Sequence, residues 1–571
     1  MHDSVWYMLL LLALLVISIK PLGWYMARVY MRREVWLERP LGWVERLTYK
    51  LCGINPHQEM NWKTYTLSMV FFSLLSAVTL FFIFTYQNML PLNPQGFEGM
   101  STDLAFNTAI SFVSNTNWQS YSGEATLSIF SQIIGCMVQN FLSAATGMAV
   151  AVALFRALAA RESNMLGNFW VDVVRGVLYI LLPLALLFSL VLVSQGVVQS
   201  LDDYTTYQPI EATEGVAYEM ARGPVATQAA IKMLGSSGGG FFNTNAAHPF
   251  ANPTAFSNFL QTLSILLLPA GLVYCFGVMV GDRRQGWGLL AAMFLIFIPL
   301  ASFAISSELT ENPLLPETVD QAAGNMEGKE VRIGAPNSAL WAVATTATSN
   351  GSVNAMHDSF MPLGSLIPLV LVQFGEVVFG GVGTGMHGML IYVIIAVFIG
   401  GLMVGRTPEY LGKKLGVREM QITTLCVLIP QACLLFGTAI AINTEAGVAG
   451  IFNPGAQGFT EVLYAFASAS NNNGSALAGL NANTPFYNIA LGTCIAIYRF
   501  ALLVLVLALA GSLSAKRKMR STAGMLPTHT PLFILMLVVT ILLVDVLTYI
   551  PVMALGPVAE HIHLFHIGVT P

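Results

Sequence analysis

The sequence predicts an all-α polytopic membrane protein with ten transmembrane helices and four pseudo-symmetric helix, pore-loop, helix repeats around a central pore. Three observations predict it. Of 571 residues, 55% belong to the set AVILMFWYC and only 10% are charged, whereas soluble chains carry about 25% charged residues. Ten apolar runs reach the roughly 20 residues needed to cross a hydrocarbon core; they centre near residues 13, 76, 142, 184, 268, 295, 390, 430, 498 and 540. Four further apolar stretches are too short to span, and each ends in a cluster of Ser, Thr, Asn and Gly.

The net charge of −4 comes with no basic domain, so nucleic acid is excluded as a partner. A mean hydropathy of +0.66 makes membrane lipid the solvent of most of the chain. The cysteines Cys52, Cys136, Cys275, Cys426, Cys433 and Cys494 contain no CxxC pair, which argues against disulfides and zinc. The first run, residues 7–22, has no basic segment before it and no small-residue cleavage site after it. It reads as a spanning helix, not a signal peptide.

Basic residues orient the spans. Of 26 Lys and Arg, 21 fall in alternate connections or beside them: Lys20, the group from Arg28 to Lys50, Lys63, Arg156, Arg161, Arg175, Arg283, Arg284, Arg406, Lys413, Lys414, Arg418, Lys516, Arg517, Lys518 and Arg520. The opposite connections hold Arg222, Lys232, Lys329 and Arg332 among acids that include Asp202, Asp203, Glu211, Glu214, Glu219, Glu308, Glu311, Glu317, Asp320 and Glu327. By the positive-inside rule the acidic side is external and both termini lie there. One basic residue, Arg499, is left inside the membrane.

The four short stretches are residues 104–119, 224–243, 338–354 and 459–476. Each has a helix-compatible segment, then the polar cluster, then a new span, which describes a half-membrane helix and its return. With the clusters aligned as 114–117, 237–240, 349–352 and 472–475, their third positions fall at 116, 239, 351 and 474, with gaps of 123, 112 and 123. So even a recurrence marks one unit repeated four times. The expected units are 1–58, an extra N-terminal helix with a cytoplasmic loop; repeats at 59–170, 171–282, 283–414 and 415–520; and 521–571, an extra C-terminal helix with an external tail.

Non-helical backbone at membrane depth is tolerated only where it is buried in protein or lines a watery cavity, so the four loops are expected to share one cavity. A dehydrated ion loses tens of kcal/mol of hydration on Born estimates, and rings of backbone carbonyls, as in potassium channels, can replace that shell. Aiming successive carbonyls one way needs backbone angles that Gly adopts freely and Asn with less penalty than most residues. The candidate ligands are therefore Ser114, Asn115, Thr116, Asn117; Ser237, Gly238, Gly239, Gly240; Ser349, Asn350, Gly351, Ser352; and Asn472, Asn473, Gly474, Ser475. Half-helices preceding the clusters aim their partly negative C-terminal ends at the lumen, favouring cations. No acid lies within the clusters, which argues for a monovalent ion. Asp103, Glu124, Asp358 and Glu461 lie nearby, either concentrating cations at the mouth or merely capping helices.

The strings FVSNTNWQSYSGE, KMLGSSGGGFFNTNAAHPFANPT, TTATSNGSVNAMHDSF and ASASNNNGSALAGL, with GRTPEYLGKK at 405–414, resemble the potassium-translocating subunit of the Kdp-type ATP-driven potassium uptake complex of bacteria. The resemblance covers essentially the whole chain. It implies that K+ is bound at the four clusters, with Gln119 beside them, in the bacterial inner membrane. It also implies a separate P-type ATPase catalytic subunit, with single-span accessory subunits, so this chain itself binds no ATP and is not an enzyme. In agreement, the sequence has no DKTGT and no GxxxxGK[ST]. The rival is a self-sufficient potassium channel or cation symporter of the same superfamily. Against the glycine rule, the first cluster carries Thr116 at its third position, where backbone geometry is least secure.

Four other features stand out. Gly380, Gly381 and Gly383 interrupt a span of the third repeat; they form either a gate in a broken helix or a close helix contact through small residues. A lone charge at mid-span costs from about 2.5 kcal/mol upward, so Arg499 either lines the cavity as a barrier to leakage or pairs with Glu376. His357 and Asp358 are adjacent in the chain, a poor geometry for a catalytic dyad. His561, His563 and His566 read as surface residues of a tail and not as a metal site.

Overall fold

The computed structural model describes residues 2–208, 218–316, 318–519 and 527–567, with only the backbone at 2, 3, 566 and 567. Glu211, Glu214, Glu317, Arg520 and the His566 side chain lie outside the described residues. Ten helices among them are long and apolar enough to span: Ser4–Tyr30, Trp62–Thr85, Ser131–Ala159, Phe169–Ser194, Ala255–Met279, Arg283–Glu308, Thr384–Met403, Val417–Ile442, Pro485–Ser514 and Pro531–Phe565. The repeat boundary expected after residue 170 falls inside Phe169–Ser194. Among the described residues, strands are confined to three short two-stranded pairs.

Each of the four short stretches forms a helix that does not span: Thr102–Ser114, Val225–Leu234, Ala335–Ala347 and Gly455–Ser470. Burial separates the helices on either side of them. The apolar windows of Ser131–Ala159, Ala255–Met279, Thr384–Met403 and Pro485–Ser514, which follow the re-entrant helices, are 83, 78, 67 and 56% buried; those of Trp62–Thr85, Phe169–Ser194, Arg283–Glu308 and Val417–Ile442, which precede them, are 28, 44, 50 and 33% buried. The second helix of each repeat is therefore central and the first peripheral, with Phe71, Leu186, Leu187 and Phe436 exposed on the outside where lipid would lie.

The first span, Ser4–Tyr30, docks against Ala255–Met279 where Gly23 meets the Gly271 carbonyl so closely that a Cβ would overlap it, a small-residue contact of the kind that joins helices in lipid. The second span of the third repeat is split. Its outer part is the helix Pro362–Gln373, its inner part is Thr384–Met403, and the chain between them is not helical. Positive φ at Gly375, Glu376, Phe379, Gly380 and Gly383 breaks the helical ladder. The expected broken helix is present, and the break begins several residues before Gly380.

Candidate functional site

The four loops form a closed circuit. In each, two residues spaced by two have positive φ: Asn115 and Asn117 (+72° and +52°), Ser236 and Gly238 (+48° and +77°), Ser349 and Gly351 (+48° and +86°), and Asn472 and Gly474 (+56° and +93°). Alternating hand along a strand turns successive carbonyls to one side, which is the requirement set out above. A Cβ on Gly238 would collide with the Asn350 carbonyl, one on Gly351 with that of Asn473, and one on Gly474 with that of Thr116. The second loop thus abuts the third, the third the fourth, and the fourth the first. Asn115 Nδ2 closes the ring by donating to the Gly235 and Ser236 carbonyls at 3.1 and 2.9 Å.

This geometry corrects the alignment. The third positions are Asn117, Gly238, Gly351 and Gly474, so the first loop is 115–118 and the second 236–239; the third and fourth, 349–352 and 472–475, keep their register. Ser114 is the last residue of its helix, and Gly240 lies beyond the strand, its N–H donating to Gln119 Oε1 at 2.9 Å. Thr116 does not occupy the glycine position. Asn117 does, and asparagine tolerates left-handed backbone where a β-branched residue resists it. Thr116 Oγ1 instead donates to Asn472 Oδ1 at 2.8 Å, binding the first loop to the fourth.

Side-chain amides lock neighbouring units together. Asn350 Nδ2 donates to the Lys232 carbonyl at 2.8 Å, and Asn473 Nδ2 to the Thr345 carbonyl at 3.3 Å, so carbonyls at the ends of two re-entrant helices gain donors from the next loop. Above the circuit lies a vestibule of about 700 Å³ whose lining includes Asn117, Gly238, Gly351 and Gly474, one from each loop, along with Gln119 and Ser475. A single cavity touching all four equivalent positions is the shared centre that the repeat requires.

The mouth acids are braces. Asp103 accepts from Asn488 Nδ2 at 2.8 Å, and that bond holds its carboxyl below the usual range. Glu124 accepts from the Asn243 N–H at 2.9 Å, and burial pushes it up. Asp358 accepts from Asn453 and Gln457 at 3.2 Å, and burial raises it as well. Glu461 is fully buried and accepts from Asn453. His357 faces Tyr464 Oη at 3.4 Å, so it and Asp358 turn to different partners; burial and then the Lys329 charge push its pKa down to about 4. His561 packs against Phe565.

Below the circuit, the break in the third repeat reaches both the rim and its neighbours. Glu376 Oε1 accepts from Asn472 Nδ2 at 3.2 Å and from Thr384 at 2.9 Å, while Oε2 accepts from Tyr498 at 3.2 Å. A Cβ on Gly383 would collide with the Gly147 backbone, whereas one on Gly381 would meet only the side chains of Thr384 and Glu376. Arg499 is 2% exposed and its Nη2 reaches the Ser143 carbonyl at 3.5 Å, while Nη1 has no partner among the described residues. No salt bridge joins it to Glu376 among those residues, so the expected alternative of a direct ion pair does not form.

One residue of the site escaped the sequence reading. Lys232, assigned to an external loop, is buried on the re-entrant helix Val225–Leu234. Its Nζ donates to Asn245 Oδ1 at 2.6 Å, and Asn245 Nδ2 donates to the Gly238 carbonyl at 2.7 Å. A buried lysine thereby props a rim carbonyl through one amide. The signal was available, since a lone charge in an apolar stretch at membrane depth points to function.

Known proteins match this architecture. Residues 9–562 match the family described as Potassium-transporting ATPase A subunit. The potassium-transporting ATPase potassium-binding subunit of Sorangium cellulosum is 56% identical over 568 residues, covering 97% of this chain and 98% of its own. Its counterpart in Herpetosiphon aurantiacus is 55% identical over 566 residues, with the same coverage. Among solved structures, the potassium transporter TrkH from Vibrio parahaemolyticus superposes with a TM-score of 0.52 at 12% identity, over 89% of this chain and 98% of that one; this is a likeness of fold.

Proposed function

Because the chain belongs to the potassium-transporting ATPase A subunit family, we propose that it binds external or periplasmic K+ in a filter of backbone carbonyls and passes the ion into the membrane as the ion-binding subunit of an ATP-driven importer. The observation that carries this reading is the closed circuit of paired positive-φ residues around one vestibule. The filter strands are 115–118, 236–239, 349–352 and 472–475, with Gln119 at the rim. A P-type ATPase catalytic subunit hydrolyses ATP, single-span accessory subunits complete the complex, and this chain binds no nucleotide. It sits in the bacterial inner membrane with both termini external. The repeats run from 59 to 520 with the boundaries given above, the first moved to the start of Phe169–Ser194.

Below the filter, the break at 374–383 acts as a gate, with Glu376 tying it to the fourth strand, and Arg499 raises a barrier to free passage. A guanidinium without a contact ion pair repels a cation where water is scarce.

The test is ion-dependent activity of the assembled complex carrying Gly238→Ala, Gly351→Ala or Gly474→Ala, assayed across K+, Rb+ and Na+. Each change should weaken K+ dependence and reduce discrimination against Na+. Selectivity retained in all three variants overturns the filter assignment. Transport by the isolated chain in proteoliposomes would replace the importer reading with a self-sufficient channel.

A further inference from the structure

The connection between the first two spans, expected as a loop, contains the helix Glu38–Leu51, whose sequence is ERPLGWVERLTYKL. Its residues sort by face. Gly42 and Tyr49 are buried, and Arg175 donates to Glu38 and Glu45 at 2.6 and 3.0 Å. Glu45 also accepts from Tyr49 Oη at 2.7 Å and from Tyr179 Oη at 2.5 Å. This side holds the helix to the protein.

The other side has no such partners. Trp43, Leu47 and Leu51 follow one another at intervals of four and are 60, 44 and 76% exposed, and Trp36, just before the helix, is 71% exposed. Residues four apart share a helix face, so they form one apolar stripe. Arg39, Arg46 and Lys50 run along one edge of that stripe, all exposed and in no salt bridge among the described residues. Because both acids of the helix are turned to Arg175, the outward side is positive.

Depth decides what covers the stripe. Connections of seven and ten residues tie the helix to the spans Ser4–Tyr30 and Trp62–Thr85. Its partners Arg175 and Tyr179 lie six and ten residues into the 26-residue span Phe169–Ser194. About 20 residues cross the hydrocarbon core, so such a span projects only about three beyond it at each end. Even with side chains leaning back toward the start of the span, these contacts bring the helix to the boundary of the core and do not leave it above the headgroups.

An exposed apolar stripe at that level, carrying Trp and edged by basic residues, is the pattern of a helix lying in the plane of an anionic bilayer surface. A protein surface would have to cover the tryptophans and also present acids to three unpaired charges. A leaflet does both, with acyl chains under the stripe and phosphates beside it, and each Arg can take a phosphate through two parallel N–H bonds.

We propose that Glu38–Leu51 is a binding site for anionic phospholipid, in which Arg39, Arg46 and Lys50 hold phosphates while Trp36, Trp43, Leu47 and Leu51 enter the acyl boundary. With this connection cytoplasmic, as in the orientation proposed above, the lipid belongs to the inner leaflet.

The test places a photoreactive benzophenone amino acid at position 47 of the assembled complex, in vesicles of equal parts phosphatidylcholine and phosphatidylglycerol. Illumination should give lipid adducts, identified by mass spectrometry, in which phosphatidylglycerol exceeds phosphatidylcholine severalfold. Arg39→Gln, Arg46→Gln and Lys50→Gln together should return the adducts to the vesicle ratio. High salt should do the same by screening with all three basic residues in place, an arm that does not depend on the folding of the triple variant. Equal amounts of the two lipids with the basic residues intact overturn the proposal, as does an excess that survives both the triple change and high salt. An adduct to a partner subunit in place of lipid overturns it in favour of a protein interface. Both leaflets of these vesicles have one composition and the readout does not involve K+, so neither a reversed orientation nor a failed filter assignment alters the result.

Discussion

The rim of four loops and the break beneath it use the same residue types in opposite ways. At the rim, positive-φ residues repeat in matched pairs in every unit, and each loop is held by its neighbour. In the break, five positive-φ residues crowd into one unit and, among the described residues, have no counterpart at the same place in the others. Three second helices run unbroken through the level where the third is split. On the proposed reading, symmetry suits a site that surrounds a spherical ion, and asymmetry suits a gate that decides where the ion goes next.

The sharpest way to break this comparison is at the rim. Gly474→Ala combines a left-handed backbone, costing roughly 1–2 kcal/mol for an L-residue, with overlap on the Thr116 carbonyl. Apparent K+ affinity of the complex should fall at least a hundredfold; a loss under threefold would dissolve the distinction between rim and break.

In the break, Gly383→Ala should reduce turnover about tenfold while affinity holds, because φ is +95° and the Gly147 backbone blocks a Cβ. Gly381→Ala, which meets only side chains, should cost less than half as much on a logarithmic scale. Equal losses in the two would remove the special place given to Gly383.

Arg499→Gln tests the barrier: passive Rb+ flux through vesicles holding the complex without ATP should rise severalfold, and an unchanged flux contradicts that role. Lys232→Met frees Asn245 from its lysine partner but leaves every rim carbonyl in place. K+ affinity should weaken about fivefold, and Asn245→Ala should act in the same direction; strengthening in either would reverse the bracing argument. Smallest of all is Asn117→Gly, in which the first loop takes the residue found in the other three. Affinity should stay within about twofold, whereas Asn117→Thr should lose about tenfold because a β-branched residue resists φ of +52°.

How far the site was legible before folding depends on which residue is asked about. Spans, re-entrant helices and the glycine-rich interruption were visible because hydropathy, length and glycine content are local. The loop register was not. A first loop that starts at Ser114 and one that starts at Asn115 cannot be told apart by composition, since this loop lacks the glycine that anchors the other three; only the backbone angles place Asn117 opposite Gly238. Lys232 was misassigned because charge counting treated a buried re-entrant helix as a loop.

What the amino-acid order alone determined was the solvent, the number of spans and the fourfold recurrence, since transfer into lipid is decided segment by segment. Tertiary structure decided which carbonyl faces which loop and that Arg499 makes no contact ion pair with Glu376. Those outcomes depend on contacts between chain segments separated by a hundred residues or more, and no local preference encodes the distances between them.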